Sequence, residues 1–110
     1  ILDSLEKFHG YYGKDFKIEF PTQSGNMVNL QEAAEGVAKR LLALFVPDAT
    51  NKIPMYGDYS KFQDDPLFNK NHLFFEYFDG DNGKGLGANH QTGWTGLIAE
   101  IIRHLNEETE

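Results

Sequence analysis

A chain of 110 residues, 40% hydrophobic and 25% charged, is sized for one small domain of ordinary soluble composition. Its net charge of −7 and pI near 5.0 exclude the basic patch that nucleic acid needs, Lys39-Arg40 being the nearest approach to one, and no apolar run is long enough to span a membrane. The absence of cysteine excludes disulfides, thiolate catalysis and cysteine-ligated metals. It is compatible with a reducing compartment, and the cytoplasm is favoured.

The chain opens on Ile1 rather than Met, which implies a natural start further upstream and places any targeting signal there. Ile1, Leu2, Leu5 and Phe8 form a short apolar stripe, the expected tail of a helix, broken by Gly10 and Gly13. In residues 15–21, Phe16, Ile18 and Phe20 alternate with Lys17 and Glu19, which predicts a short extended segment stopped by Pro21. Residues 22–26 read as a turn. The clearest helix is predicted over residues 29–46, with Asn29 as N-cap and Glu32 completing a capping box. Leu30, Ala33, Ala34, Val37, Leu41, Leu44 and Phe45 share its apolar face, and Pro47 ends it.

Residues 48–71 read as a long loop, a length that is often functional, in which Tyr56, Tyr59 and Phe62 are free to stack on a ring. A second strong helix is predicted over residues 94–105, capped by Thr92. Trp94, Leu97, Ile98, Ile101, Ile102 and Leu105 fall on one core-facing stripe, so core is the better reading of Trp94 than a sugar platform. The expected class is all-α, two to three helices with long loops. Both stripes need partners, so the chain looks like a piece of a larger helical array.

Residues 72–94 carry the chemistry. Glu76 sits in a run of Leu73, Phe74, Phe75, Tyr77 and Phe78, and a carboxyl set against apolar walls beside hydroxyls, an amide and an imidazole is how sugar-cleaving sites are built. The plainer reading is an acid held by a neighbouring donor. Asp79, Asp81 and Gly83 resemble a calcium loop, but Lys84 stands where glycine is needed and His90 where a glutamate is needed. Gly83-Lys84-Gly85 is no phosphate loop, because no Ser or Thr follows the lysine. His9, His72, His90 and His104 show no metal-ligand spacing, so no metal and no cofactor is expected. Gly80, Gly83, Gly85 and Gly87, with Asn82 or Asn89 also able to take positive φ, predict a backbone that folds tightly back. That would bring His90 and Gln91 onto one wall with Glu76. The plainer reading of that loop is a mobile surface turn.

The segment HLFFEYFDGDNGKGLGANHQTGWTGLIAEII resembles glycoside hydrolase family 63, as do FKIEFPTQSGNMVNLQEAAEGVAKRLLALF and PMYGDYSKFQDDPLF. The likeness is closer to bacterial α-glucosidases and mannosylglycerate hydrolases than to the eukaryotic processing enzyme. It implies that residues 1–110 form the C-terminal part of a catalytic domain and an incomplete segment of an (α/α)6 toroid. It also implies an inverting α-glycosidase acting on an α-linked glucoside or mannoside. Glu76 inherits the role of general base, and the general acid, an aspartate, lies upstream outside the chain. His90, Gln91, Trp94 and Tyr77 are the expected substrate-binding residues. The expected partners are an α-linked oligosaccharide or glycoside, and either the remainder of the catalytic barrel or a second copy. The isolated chain is expected to be inactive. The alternative function is a noncatalytic helical interaction or carbohydrate-binding module.

Overall fold

Residues 1–90 and 93–107 are described by a computed structural model of the chain. They fall into two compact units, Ile1–Arg40 and Leu41–Glu110.

In the first unit, helix α1 spans Leu2–Tyr12 and ends where the Gly13 N–H donates to the His9 carbonyl at 2.8 Å, with Gly13 at φ 76°. Gly10 lies inside this helix instead of breaking it, since one glycine costs a helix only about 1 kcal/mol. Strand β1, Lys17–Glu19, pairs antiparallel with β2, Met27–Asn29, in the register Ile18↔Val28. The Glu19 carboxylate makes this hairpin, accepting from the backbone N–H of Gln23 at 3.0 Å and of Gly25 at 2.7 Å. Those bonds satisfy donors that a tight reversal would otherwise leave open. Helix α2 then runs Leu30–Ala43. Its predicted capping box is present: Asn29 Oδ1 accepts from Glu32 N at 2.9 Å, and Glu32 Oε2 accepts from Asn29 N at 2.8 Å. Phe20 lies so close to Gly36 that a Cβ there would stand 2.5 Å from its ring.

The core of the second unit is Phe45, Ile53, Met55, Tyr56, Phe75 and Ile98. Its two most buried side chains, Met55 and Tyr56, come from the stretch expected to be loop. That stretch holds a 3₁₀ turn at Pro54–Tyr56 and two short helices, α3 at Ser60–Asp64 and α4 at Pro66–Lys70. One amide fastens it. Gln63 Oε1 accepts from Ile53 N at 3.0 Å, while its Nε2 donates to the carbonyls of Ile53 at 3.0 Å and Gly57 at 3.1 Å. The Tyr56 hydroxyl donates to the Phe68 carbonyl at 2.8 Å. Asp65 caps α4 through Leu67 N at 2.8 Å.

Strand β3, Tyr77–Phe78, pairs antiparallel with β4, Gly85–Leu86. The pairing is extended by the Glu76 N–H donating to the Ala88 carbonyl at 2.9 Å and by a bridge between Phe74 and His90. A 3₁₀ turn at Trp94–Leu97 leads into α5, Ile98–Glu107.

The all-α expectation is therefore overturned. The described residues hold five α-helices and two two-stranded antiparallel sheets, and nothing in them shows an incomplete toroid. The cause is side-chain chemistry in two turns, at Glu19 and at Asp79, which reverses the chain where helical periodicity is weak. No helix among the described residues is long and apolar enough to cross a membrane.

Candidate functional site at Glu76

The turn after β3 is built by its own polar residues. Asp79 N donates to the Lys84 carbonyl at 2.8 Å, and Gly83 N donates to the Asp79 carbonyl at 2.9 Å. Asp79 Oδ1 accepts from Asp81 N at 2.8 Å, and Asn82 Oδ1 accepts from Lys84 N at 2.9 Å. Of the residues that look like calcium ligands, Asp79 thus spends a carboxylate oxygen on closing a hairpin, as Asn82 beside it spends its amide oxygen. Among the described residues no group of three or more His, Asp or Glu is placed to hold a metal ion. Positive φ falls on Gly83 and Gly87, and on neither Asn82 nor Asn89.

The fold-back brings Glu76 to the second of these glycines. Its Oε2 accepts from Ala88 N at 3.3 Å, and its backbone carbonyl accepts from Trp94 Nε1 at 3.1 Å. No cation among the described residues is ion-paired with the carboxylate, which is exposed. Glu76 opens on a groove of about 630 Å³ whose apolar side is Leu41, Leu44, Phe45, Phe78, Leu97, Ile98 and Ile101, and whose rim includes Tyr77, Asp79, Trp94 and Thr95.

Tyr77 is 52% exposed and Trp94 is 73% exposed. Trp94 is therefore not a core residue: the 3₁₀ turn starts there, and its indole N–H is used to tie down the Glu76 backbone. Leu97, also read as core, is 62% exposed. The Thr95 hydroxyl oxygen is buried without a hydrogen-bond partner among the described residues.

The structure thus brings together Glu76, Tyr77 and Trp94. His90 is exposed and paired through its backbone with Phe74, and it is not among the groove's lining residues. Gln91 and the expected cap Thr92 lie outside the described residues.

A second cavity, of about 480 Å³, is lined by Asp58, Tyr59, Ser60, Lys61, Phe62, Phe75, Gly85, Leu86, Gly87 and Asn89. At its edge the Lys84 ammonium pairs with the Asp58 carboxylate and lies 4.1 Å from the centre of the Tyr59 ring. The hydrogen bond from Lys84 holds the Asp58 carboxyl below its ordinary range, and the same bond holds the Lys84 ammonium above its own. Sequence reasoning missed Asp58, Lys84 and Asn89. The Asp58–Lys84 pair spans 26 positions, and no local spacing announces it.

Among known proteins, the chain is 52% identical over 104 residues, 93% of its length, to the uncharacterized protein YMR196W of Saccharomyces cerevisiae. It spans only 10% of that relative's length. No protein-family profile matches the chain, and no solved structure matches it.

Proposed function

We propose that the chain is part of a larger glycoside hydrolase related to family 63, in which Glu76 is the base that activates water against an α-linked glucoside or mannoside. One observation carries this reading. Glu76 lines a groove beside two exposed aromatic side chains, and its carboxylate is free of any described ion pair and held by a backbone N–H.

An ionised carboxylate is an acceptor only, which suits it to take a proton from water. In inverting hydrolysis the water attacks the anomeric carbon while a separate acid protonates the leaving oxygen. The two carboxyl groups stand roughly 6.5–9.5 Å apart so that the water fits between them. The acid would be an aspartate outside these residues. That most of the yeast relative's length lies beyond the aligned segment supports the reading of the chain as one part of a longer protein, with room for an acid elsewhere. Tyr77 and Trp94 would offer apolar faces to a sugar ring.

The largely apolar lining of the groove also favours a second reading, a noncatalytic interaction or carbohydrate-binding module. Turnover of aryl α-glucosides and α-mannosides by the intact natural protein, with and without Glu76→Gln, separates the two. Loss of turnover in a variant that melts like the parent supports the base. Retention of the parental kcat removes it.

A further inference from the structure

The Glu76 carboxylate is held by a hairpin too short to hold itself. β3 and β4 pair through two residues each, Tyr77↔Leu86 and Phe78↔Gly85. A two-stranded hairpin is marginal in water unless something outside it supports it. The residue that follows β4 by two nevertheless makes two bonds to Glu76. The Ala88 carbonyl accepts from Glu76 N at 2.9 Å, and Ala88 N donates to Glu76 Oε2 at 3.3 Å. Whatever fixes residues 84–88 therefore fixes the carboxylate.

Lys84, immediately before β4, is fastened to residues 57–59 by its head and by its stem. The ammonium pairs with the Asp58 carboxylate. It also lies 4.1 Å from the centre of the Tyr59 ring, within the range of a cation–π attraction. The stem crosses Gly57 so closely that a Cβ there would stand 2.7 Å from Lys84 Cγ. Lys84 keeps 24% of its side chain in water, so the tie is screened less than an open surface pair.

Both ends of this connection are firm. On one side, Gln63 Nε2 donates to the Gly57 carbonyl at 3.1 Å, and the neighbouring Tyr56 is buried in the core. On the other, a Cβ at Gly85 would run into the Phe75 ring, and one at Gly87 would lie 2.5 Å from Glu76 Oε2. The strand between the tied cation and the carboxylate has little slack.

We propose that Lys84 is a positioning residue for Glu76: by clamping the start of β4 to Asp58 and Tyr59, it sets where the carboxylate stands. The inference rests on the reading of Glu76 as a hydrolase base and adds the side chain that aims it.

Lys84→Met in the intact natural protein tests it, because methionine keeps a stem over Gly57 and removes the charge. The variant should melt close to the parent. Hydrogen exchange followed by mass spectrometry should show the amides of residues 76–88 exchanging about 10-fold faster, the worth of an ion pair and a cation–π contact together. The segments that hold the Asn29–Glu32 and Ile53–Gln63 bonds should exchange as in the parent. On aryl α-glucosides or α-mannosides, kcat should fall by about 10-fold or more with KM unchanged, because a misplacement of about 1 Å can cost on the order of 10²-fold. Lys84→Arg, which still carries a charge for Asp58 and a flat group for Tyr59, should restore both exchange and kcat.

The positioning role is overturned if exchange at residues 76–88 stays parental in Lys84→Met, if it rises equally in every segment, or if Lys84→Arg behaves as Lys84→Met does. The two readings fail separately. Local loosening in Lys84→Met, with turnover that Glu76→Gln leaves intact, keeps Lys84 as the clamp on Glu76 and removes the base. Turnover that Glu76→Gln abolishes, with Lys84→Met at the parental kcat, keeps the base and removes the positioning role.

Discussion

Gly87 stands against the carboxylate of Glu76, leaving no room for a side chain: a Cβ at position 87 would lie 2.5 Å from Glu76 Oε2 and 2.8 Å from the Tyr77 ring. The backbone there has φ 74°, a conformation that costs an L-residue about 1–2 kcal/mol. The next residue, Ala88, donates its N–H to the same oxygen. A glycine and an amide thus hold the carboxylate in place together. Gly87→Ala is expected to lower stability by about 1–2 kcal/mol. On the proposal that Glu76 is a hydrolase base, it should also lower kcat of the intact natural protein by on the order of 10²-fold, because small displacements of a reacting group are costly. Thermal melts and kinetics on one preparation check both. A destabilised variant with parental kcat would show that the glycine serves the hairpin alone.

Glu76→Gln replaces one carboxylate oxygen with an amide nitrogen and keeps an oxygen for the Ala88 N–H to donate to. Melting should therefore stay within error of the parent. On the proposal that Glu76 is the base, losing the proton acceptor should lower kcat by on the order of 10²–10⁴-fold, the usual worth of general base catalysis. Glu76→Asp is expected to do nearly as badly, because the shorter side chain withdraws from both Ala88 and the groove. A Glu76→Asp variant with near-parental kcat would mean that reach does not matter.

The parts of the fold that were legible in the sequence are those written in neighbouring residues. The Asn29–Glu32 capping box joins positions three apart, and both of its bonds are present. The extended stretch around Ile18 was likewise visible from alternation, but its partner was not, because Met27–Asn29 reads as the approach to a helix. Trp94 and Leu97 were misread for a geometric reason. They lie in a 3₁₀ turn, whose three-residue period moves them off the stripe that a 3.6-residue period draws through Ile98. The burial of Met55 and Tyr56 depends on Gln63 and Phe68, each about a turn or more of chain away and carrying no local signature. At the site, Glu76 stands out as a lone acid among aromatics. The cavity beside it is assembled from residues 58–62, Phe75, residues 85–87 and Asn89, and only folding puts those together.

Gln63 gives a direct test of the stretch taken for a loop. Gln63→Met keeps the length of the side chain but leaves the Ile53 N–H and the carbonyls of Ile53 and Gly57 without their partner. Unsatisfied buried groups cost about 1–3 kcal/mol, so a loss in that range is expected by chemical denaturation. Phe62 and Tyr56 pack together, and the change should also blunt the near-UV aromatic signal. A variant as stable as the parent would mean that the segment is held by apolar packing alone.

The Asp58–Lys84 pair sets a pH window. The folded Asp58 carboxyl lies below its ordinary 3.8, so its contribution is present above 3.8 and is lost as pH falls through the lower folded value. The folded Lys84 ammonium lies above its ordinary 10.5, so its contribution is present below 10.5 and is lost as pH rises through the higher folded value. The difference in melting temperature between the parent and Asp58→Asn should therefore be flat across the neutral range and shrink at both extremes. It should also shrink with added salt, since both groups meet solvent. Melts from about pH 3 to about pH 11 read this out. A difference that grows on acidification would break the assignment.

Leu97 is 62% exposed at the edge of the groove, beside Trp94 at 73% exposed, and Ile102 on α5 is 41% exposed. Covering one such leucine is worth roughly 1.5–3 kcal/mol, so apolar surface of this kind drives association when nothing else occupies it. The 110-residue chain on its own is expected to self-associate as its concentration rises. Leu97→Lys should shift it toward monomer without lowering its melting temperature, because that side chain contributes little to the core of its own unit. Static light scattering over a concentration series, run on both forms, decides the matter. A parent chain that stays monomeric throughout would mean that the groove is content in water, and would favour its use for a small ligand over its use for another polypeptide.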